Sequence, residues 1–215
     1  MYIDSHTHSS TSDADISVLN CYPNANLSNV NHSRLLSCGI HPWHIESSKI
    51  QHNLERIEQL CQQQKIAAIG ECGLDTNTAD IDMQKRVFKQ QIALSEQYGL
   101  PLIIHSVKTH HHILALKKQL RPRQRWIIHG FHGAVQTAEQ LTGKDIFISF
   151  GKNLLTHPDK LKKILSQIDL SFVLLETDDE PIGIKKIYAQ AAKLLDIELD
   201  VLKKKIEVNF KRVFG

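Results

Sequence analysis

No C-x-x-C pair and no short regular spacing links the four cysteines Cys21, Cys38, Cys61 and Cys72. That excludes a zinc ribbon and gives no sign of a disulfide framework, so a reducing cytoplasm is the expected compartment. No apolar run approaches the roughly 18 residues of a membrane span, and the opening Met1-Tyr2-Ile3-Asp4 lacks the basic start and apolar stretch of an export signal. A soluble, unexported chain without membrane contact is expected. The charged fraction is 23% with a net charge of +3, and there is no block of one sign to mark a nucleic-acid arm or a membrane-seeking face. Repeats, linkers and low-complexity tracts are also missing. With 215 residues and 41% apolar content, the sequence can bury one sizeable core, so a single domain over residues 1–215 is the reading.

What is present is a series of short apolar runs, near-continuous as in strands buried on both faces. They lie at Tyr2–Asp4, Leu35–Ile40, Ile66–Gly70, Leu102–Ile104, Trp126–Ile128, Ile146–Phe150 and Phe172–Leu175, with an eighth at Ile16–Cys21. Segments of helical period stand between most of them: Ile50–Gln63, Asp82–Tyr98, Ile113–Leu120, Val135–Thr142 and Pro158–Ile168. Strand followed by helix, repeated, predicts a parallel sheet, and eight strands predict a TIM-type (β/α) barrel. Between His8 and Leu35 no crossover helix is legible, so the first βα repeat is expected to be abbreviated. The stretch from Lys185 to Phe214 reads as two amphipathic helices.

Histidine is abundant, at 13 residues, and its placement carries the chemistry. Polar residues follow the apolar runs directly: His6 with His8, His41, Glu71, His105, His129, and Glu176 with Asp178. In a parallel barrel those strand ends converge on one face. His6-Thr7-His8 puts two imidazoles on the same side of a strand, because side chains two apart share a face. Any one of these histidines alone would be read as a buried structural residue or a phosphate contact. Together, His6, His8, Glu71, His105, His129 and Asp178 form a mixed N/O set suited to borderline divalent ions. Six ligands suffice for two metals, and Glu71 can bridge them because a carboxylate has two oxygens. Asp178 can both bind metal and accept the proton of an attacking water, with a helix N-cap before Pro181 as its plain alternative. Hydrolysis is the reaction class implied.

The motifs Tyr2-Ile3-Asp4-Ser5-His6-Thr7-His8, Cys38-Gly39-Ile40-His41-Pro42, Ala68-Ile69-Gly70-Glu71-Cys72-Gly73-Leu74-Asp75, Leu102-Ile103-Ile104-His105-Ser106, Ile128-His129-Gly130-Phe131 and Leu175-Glu176-Thr177-Asp178 resemble, in that order, the signatures of the TatD-type metal-dependent deoxyribonucleases. The resemblance implies an amidohydrolase-like β/α barrel, a metal shell of His6, His8, Glu71, His105, His129 and Asp178, and two divalent ions (Mg²⁺, Mn²⁺ or Zn²⁺). It also implies catalytic roles for Asp178 and Glu71, and DNA as substrate, cut from an end. His41 resembles the family's active-site histidine outside the main shell, a phosphate or substrate contact. Lys108 stands near where the family often has Arg, and as a point charge it cannot make a bidentate fork. Thr76 and Asn77 replace the aromatic residue that usually follows Gly-Leu-Asp, so the substrate rim differs while the shell is kept.

Other readings remain, beginning with another amidohydrolase-like esterase or amidase on the same fold and metal shell. His6-Thr7-His8-Ser9 also resembles the opening of polymerase-and-histidinol-phosphatase phosphoesterases, but the closing Asp-x-His of that group is replaced here by Glu176-Thr177-Asp178-Asp179. A catalytically silent nucleic-acid-binding barrel would have no need of six ligands. The basic clusters at Lys117-Lys118, Arg121–Arg125, Lys160–Lys163 and Lys203–Lys205 read as solvated helix or loop faces. His110-His111-His112 points three ways on a helix and reads as a solvated helix start. Cys72 should face away from Glu71 as a packed thiol. Glu176 should orient a ligand from behind. Trp43, Phe131 and Lys108 are the candidates for a single-strand groove. No protein partner is evident.

Overall fold

The computed structural model describes residues 1–25, 34–78 and 80–215. Its strands are β1 (Ile3–Thr7), β2 (Ile16–Cys21), β3 (Leu35–Cys38), β4 (Ala68–Asp75), β5 (Leu102–Val107), β6 (Trp126–Ile128), β7 (Ile146–Phe150) and β8 (Val173–Leu175). The helices are α1 (Ile50–Gln62), α2 (Ile81–Tyr98), α3 (His110–Leu120), α4 (Val135–Thr142), α5 (Asn153–Thr156), α6 (Pro158–Leu165), α7 (Ile184–Leu195) and α8 (Leu199–Phe214). Short 3-10 turns cover Pro42–His44 and Leu170–Phe172. The eight strands follow one another in chain order in a single sheet, the topology of the TIM-type (β/α) barrel. No helix lies among residues 8–15, between β1 and β2; residues 26–33, on which the rest of the expected abbreviation of the first repeat falls, lie outside the described residues.

The chain divides into two compact units. In the first, residues 1–19 with 127–215, β1 pairs in parallel with β2 and β7 with β8, with Ile3 opposite Ile16 and Ile148 opposite Val173. An isolated parallel bridge joins Thr7 to Asp178. Tyr188 of α7 is buried, and its hydroxyl donates to the Ile3 carbonyl and accepts from the Ile3 amide, both at 3.1 Å. In α8, Asn209 is 1% exposed and donates to the carbonyls of Leu170 and Val173. These polar contacts pin both C-terminal helices to strand backbone while Leu202, Ile206 and Phe210 supply the apolar face.

The second unit, residues 20–126, holds β3, β4 and β5 in parallel register, with Ser37 opposite Ala68 and Gly73 opposite His105. Gly73 explains one glycine of the Gly-Glu-Cys-Gly motif: its φ is +133°, and a Cβ there would sit 2.2 Å from the His105 carbonyl oxygen. Only glycine lets the two strands approach so closely. Helix α2 docks here with Val87, Phe88 and Ile92 buried. On the same face are two buried glutamines seven residues apart. Gln84 Oε1 accepts from the Asp75 amide at 2.8 Å and its Nε2 donates to the Asp75 carbonyl at 3.0 Å. Gln91 does the same for Ile40, at 2.7 and 3.2 Å.

The strands run further than their apolar runs suggest, which corrects the expectation that the polar residues follow the strands. His6, Glu71 and His105 lie inside β1, β4 and β5. Ladder hydrogen bonds continue regardless of side-chain polarity once a neighbouring strand is in register. Helix α3 likewise starts at His110, three residues before its first buried apolar position, Ile113.

Candidate metal centre

In the first unit, β1 alternates so that Asp4, His6 and His8 share a face. His6 Nε2 and His8 Nε2 stand 3.5 and 3.6 Å from the same oxygen, Asp178 Oδ1. His129 Nδ1, just past β6, is 4.0 Å from the other carboxylate oxygen. Asp178 is fixed by its backbone: its amide donates to the His6 carbonyl at 3.0 Å, and the His8 amide donates to its carbonyl at 2.9 Å. Its φ of +57° lies in the left-handed region, where Asp is among the better-tolerated residues. Asp178 forms no helix cap, because α7 begins only at Ile184 after Gly183.

The separations fit a cation. At 3.5 and 3.6 Å the imidazole–carboxylate pairs are longer than good hydrogen bonds. Ligands about 2.1 Å from a tetrahedral ion stand roughly 3.4 Å apart. One ligand atom each from His6, His129 and Asp178 falls within a mutual 4.8 Å. Asp178 keeps a third of its side chain exposed while His6 is nearly sealed, so one flank of the cluster is open.

Behind it lies a buried acidic layer. Glu176 is fully buried; its Oε1 accepts from the Gly130 amide and stands 3.6 Å from His129 Nδ1. That places it beside His129 at a distance longer than a good hydrogen bond. Asp4, also fully buried, accepts from the Thr177 amide and hydroxyl and from Ser12. Burial pushes its carboxyl up to about 6, opposed by the Thr177 hydrogen bonds and reinforced by the charge of Glu176. Phe131 is 1% exposed and packs edge-on against Phe150. That withdraws it as a stacking candidate, because the ring is enclosed within the core.

The second unit carries the other cluster. Glu71 Oε1 stands 3.0 Å from His41 Nε2 and 2.9 Å from His105 Nδ1. His41 Nδ1 accepts from the Trp43 amide at 3.1 Å, so its Nε2 carries the proton and donates to Glu71. Burial lowers the His41 pKa, opposed by that bond to Glu71. His105 Nε2 stands 3.1 Å from Asp75 Oδ2. The imidazole therefore stands between two carboxylates, with Nδ1 2.9 Å from Glu71 Oε1. His41, Glu71 and His105 also offer ligand atoms within 4.8 Å of one another. Asn20 Oδ1 holds the Glu71 amide at 2.8 Å.

Asp75 was not singled out from the sequence, although it repeats the strand face of Glu71 four residues on. It is fully buried and accepts from the Asn77 amide at 2.7 Å and from Trp43 Nε1 at 2.6 Å, besides His105. Burial opposes ionisation, but these donors prevail and hold its carboxyl below the ordinary range. Cys72 is fully buried with its Sγ toward the Ile103 carbonyl, a packed thiol. Lys108 is exposed just beyond β5 with φ +56°. His111 is exposed at the start of α3, with its ring against His112.

An eight-stranded β/α barrel topology with imidazole and carboxylate clusters on its strands defines the class of metal-dependent barrel hydrolases. Residues 23–215 match the family model described as TatD related DNase, and the chain belongs to that family. A Bacillus subtilis protein named uncharacterized metal-dependent hydrolase YabD is 29% identical over 181 residues, 76% of this chain and 71% of that protein. Escherichia coli YjjV, named likewise, is 33% identical over 147 residues, 65% of this chain and 56% of that protein. The 3'-5' ssDNA/RNA exonuclease TatD of Erwinia tasmaniensis is 25% identical over 201 residues, 83% of this chain and 77% of that protein. The crystal structure of Escherichia coli YjjV superposes with a TM-score of 0.85 over 99% of this chain and 97% of that one, at 24% identity, which shows the shared fold.

Proposed function

We propose that the protein is a divalent-metal-dependent nuclease that hydrolyses phosphodiester bonds from a DNA end. The observation that carries this reading is the spacing of His6 and His8 about one oxygen of Asp178, too wide for hydrogen bonds and right for a shared ion. The ligands are His6, His8, His129 and Asp178 in one cluster, and Glu71 and His105 in the other. The use of two ions rests on the family resemblance. Bound there, divalent ions would supply Lewis acidity and a water acidic enough to attack phosphorus near neutral pH.

The chain's own residues do the rest. Asp178, with a third of its side chain exposed, accepts the proton of the attacking water. His41 donates to Glu71 and fixes which carboxylate oxygen remains for a ligand. Asp75 holds His105 from behind, and Glu176 lies beside His129 with its carboxylate on the Gly130 amide. Lys108 is the proposed phosphate contact, while His41, whose ring nitrogens are engaged by the Trp43 amide and by Glu71, serves the site through Glu71 rather than as the phosphate contact expected of it. A DNA end as substrate draws on the relatives named exonucleases, and Mg²⁺, Mn²⁺ and Zn²⁺ all suit the donor set.

The test is hydrolysis of end-labelled single-stranded DNA by chelator-treated protein, with each ion added back, beside Asp178→Asn and Glu71→Gln. Metal-restored shortening that both variants lack, while they keep the wild-type fold by circular dichroism, supports the mechanism. Full activity in either variant overturns it.

A further inference from the structure

Among the described residues Trp43 is the most exposed large apolar side chain, at 61%. It is also firmly held. Its Nε1–H donates to Asp75 Oδ2 at 2.6 Å and its amide donates to His41 Nδ1. Its indole lies edge to face with His41 at 5.0 Å and with His105 at 5.8 Å between ring centroids. An indole that is rigid yet left in water has lost its rotamer freedom without gaining burial, which is the condition of a preorganised binding surface. The same Asp75 oxygen also meets His105 Nε2, so one buried carboxylate fixes both the exposed ring and an imidazole of the metal cluster.

We propose that Trp43 is the stacking platform for a nucleobase of single-stranded nucleic acid, held in register with His105 through Asp75. This rests on the nuclease reading above. The indole donor is committed to Asp75, so the ring has only its face to offer and cannot read base edges. Recognition at this position is therefore tolerant of sequence, since every base has a π-face.

The chain has two tryptophans, and the other, Trp126, is fully buried. Emission changes on ligand binding therefore report Trp43. Chelator-treated protein is titrated with a single-stranded oligonucleotide of mixed sequence and with an abasic phosphodiester of equal length, and the affinity of an end-labelled strand is read by anisotropy. Saturable quenching by the base-bearing strand is expected, with little from the abasic one. Trp43→Ala should weaken binding roughly tenfold or more, since stacking on an aromatic ring is worth about that per base. Trp43→Phe, which keeps a ring but loses the bond to Asp75, should retain most of the affinity. In turnover the Ala variant should raise KM more than it lowers kcat. Affinity within twofold of wild type in Trp43→Ala, or emission unmoved at saturation, overturns the platform while metal-dependent cleavage still stands. If the wild-type protein neither binds nor cuts any strand, the nuclease reading falls and the platform falls with it.

Discussion

Replacing Gln91 by Met tests how the second unit holds its site. Gln91 is fully buried on α2, and its amide serves both the N–H and the C=O of Ile40, the residue before His41. Methionine has nearly the same shape but can neither donate nor accept strongly, so two buried backbone groups lose a partner. Each costs about 1–3 kcal/mol when left unsatisfied, and the added apolar burial offsets about 1 kcal/mol, giving a net loss of about 3 kcal/mol. For a chain of this size that is a fall of roughly 6–12 °C in Tm. The assay is thermal and urea unfolding of chelator-treated protein, so that bound metal adds no stability. Gln90→Met is the control: the neighbouring side chain is exposed, and its change should stay within about 0.5 kcal/mol. Equal stability of the two variants would refute the reasoning, because Ile40 would then be satisfied by something other than the glutamine.

Asp75→Asn places an amide N–H where a carboxylate oxygen now accepts, so one donor among Trp43, His105 and Asn77 meets another donor. Affinity for Mn²⁺ or Zn²⁺ measured by calorimetry should fall about 10–100-fold, as for other lost orienting partners, and unchanged affinity would contradict a positioning role. Asn209→Ala strips the donors from two buried carbonyls and should cost about 2–3 kcal/mol in urea unfolding; a loss under about 0.5 kcal/mol would mean α8 is held by its apolar face alone. Burial pushes the Cys61 thiol up to about 11 and the Cys72 thiol well above its ordinary range. At mildly alkaline pH, below both folded values, these thiols stay protonated and enclosed. They should resist a disulfide-exchange reagent until denaturant is added, and rapid labelling of Cys72 in the folded protein, mapped by peptide, would show that β4 opens locally.

The sequence by itself determined the alternation of strands and helices, since apolar runs and helical periods are local patterns written in consecutive residues. It also determined the identities of His6, His8, Glu71, His105, His129 and Asp178 as candidates, because each stands at the edge of such a run. Only the tertiary structure decided what those residues meet. Asp75 reads as the last letter of a motif until folding sets it against His105 and Trp43. Nothing local distinguishes Gln84 and Gln91 from the other polar residues of their helix until α2 turns that face onto strand backbone, where an amide can replace a missing ladder partner. Phe131 and Trp43 are both aromatic residues near strand ends, yet one is sealed in the core and the other stands in solvent. Burial and hydrogen-bond partnership depend on contacts between residues far apart in the chain, and no local pattern records them.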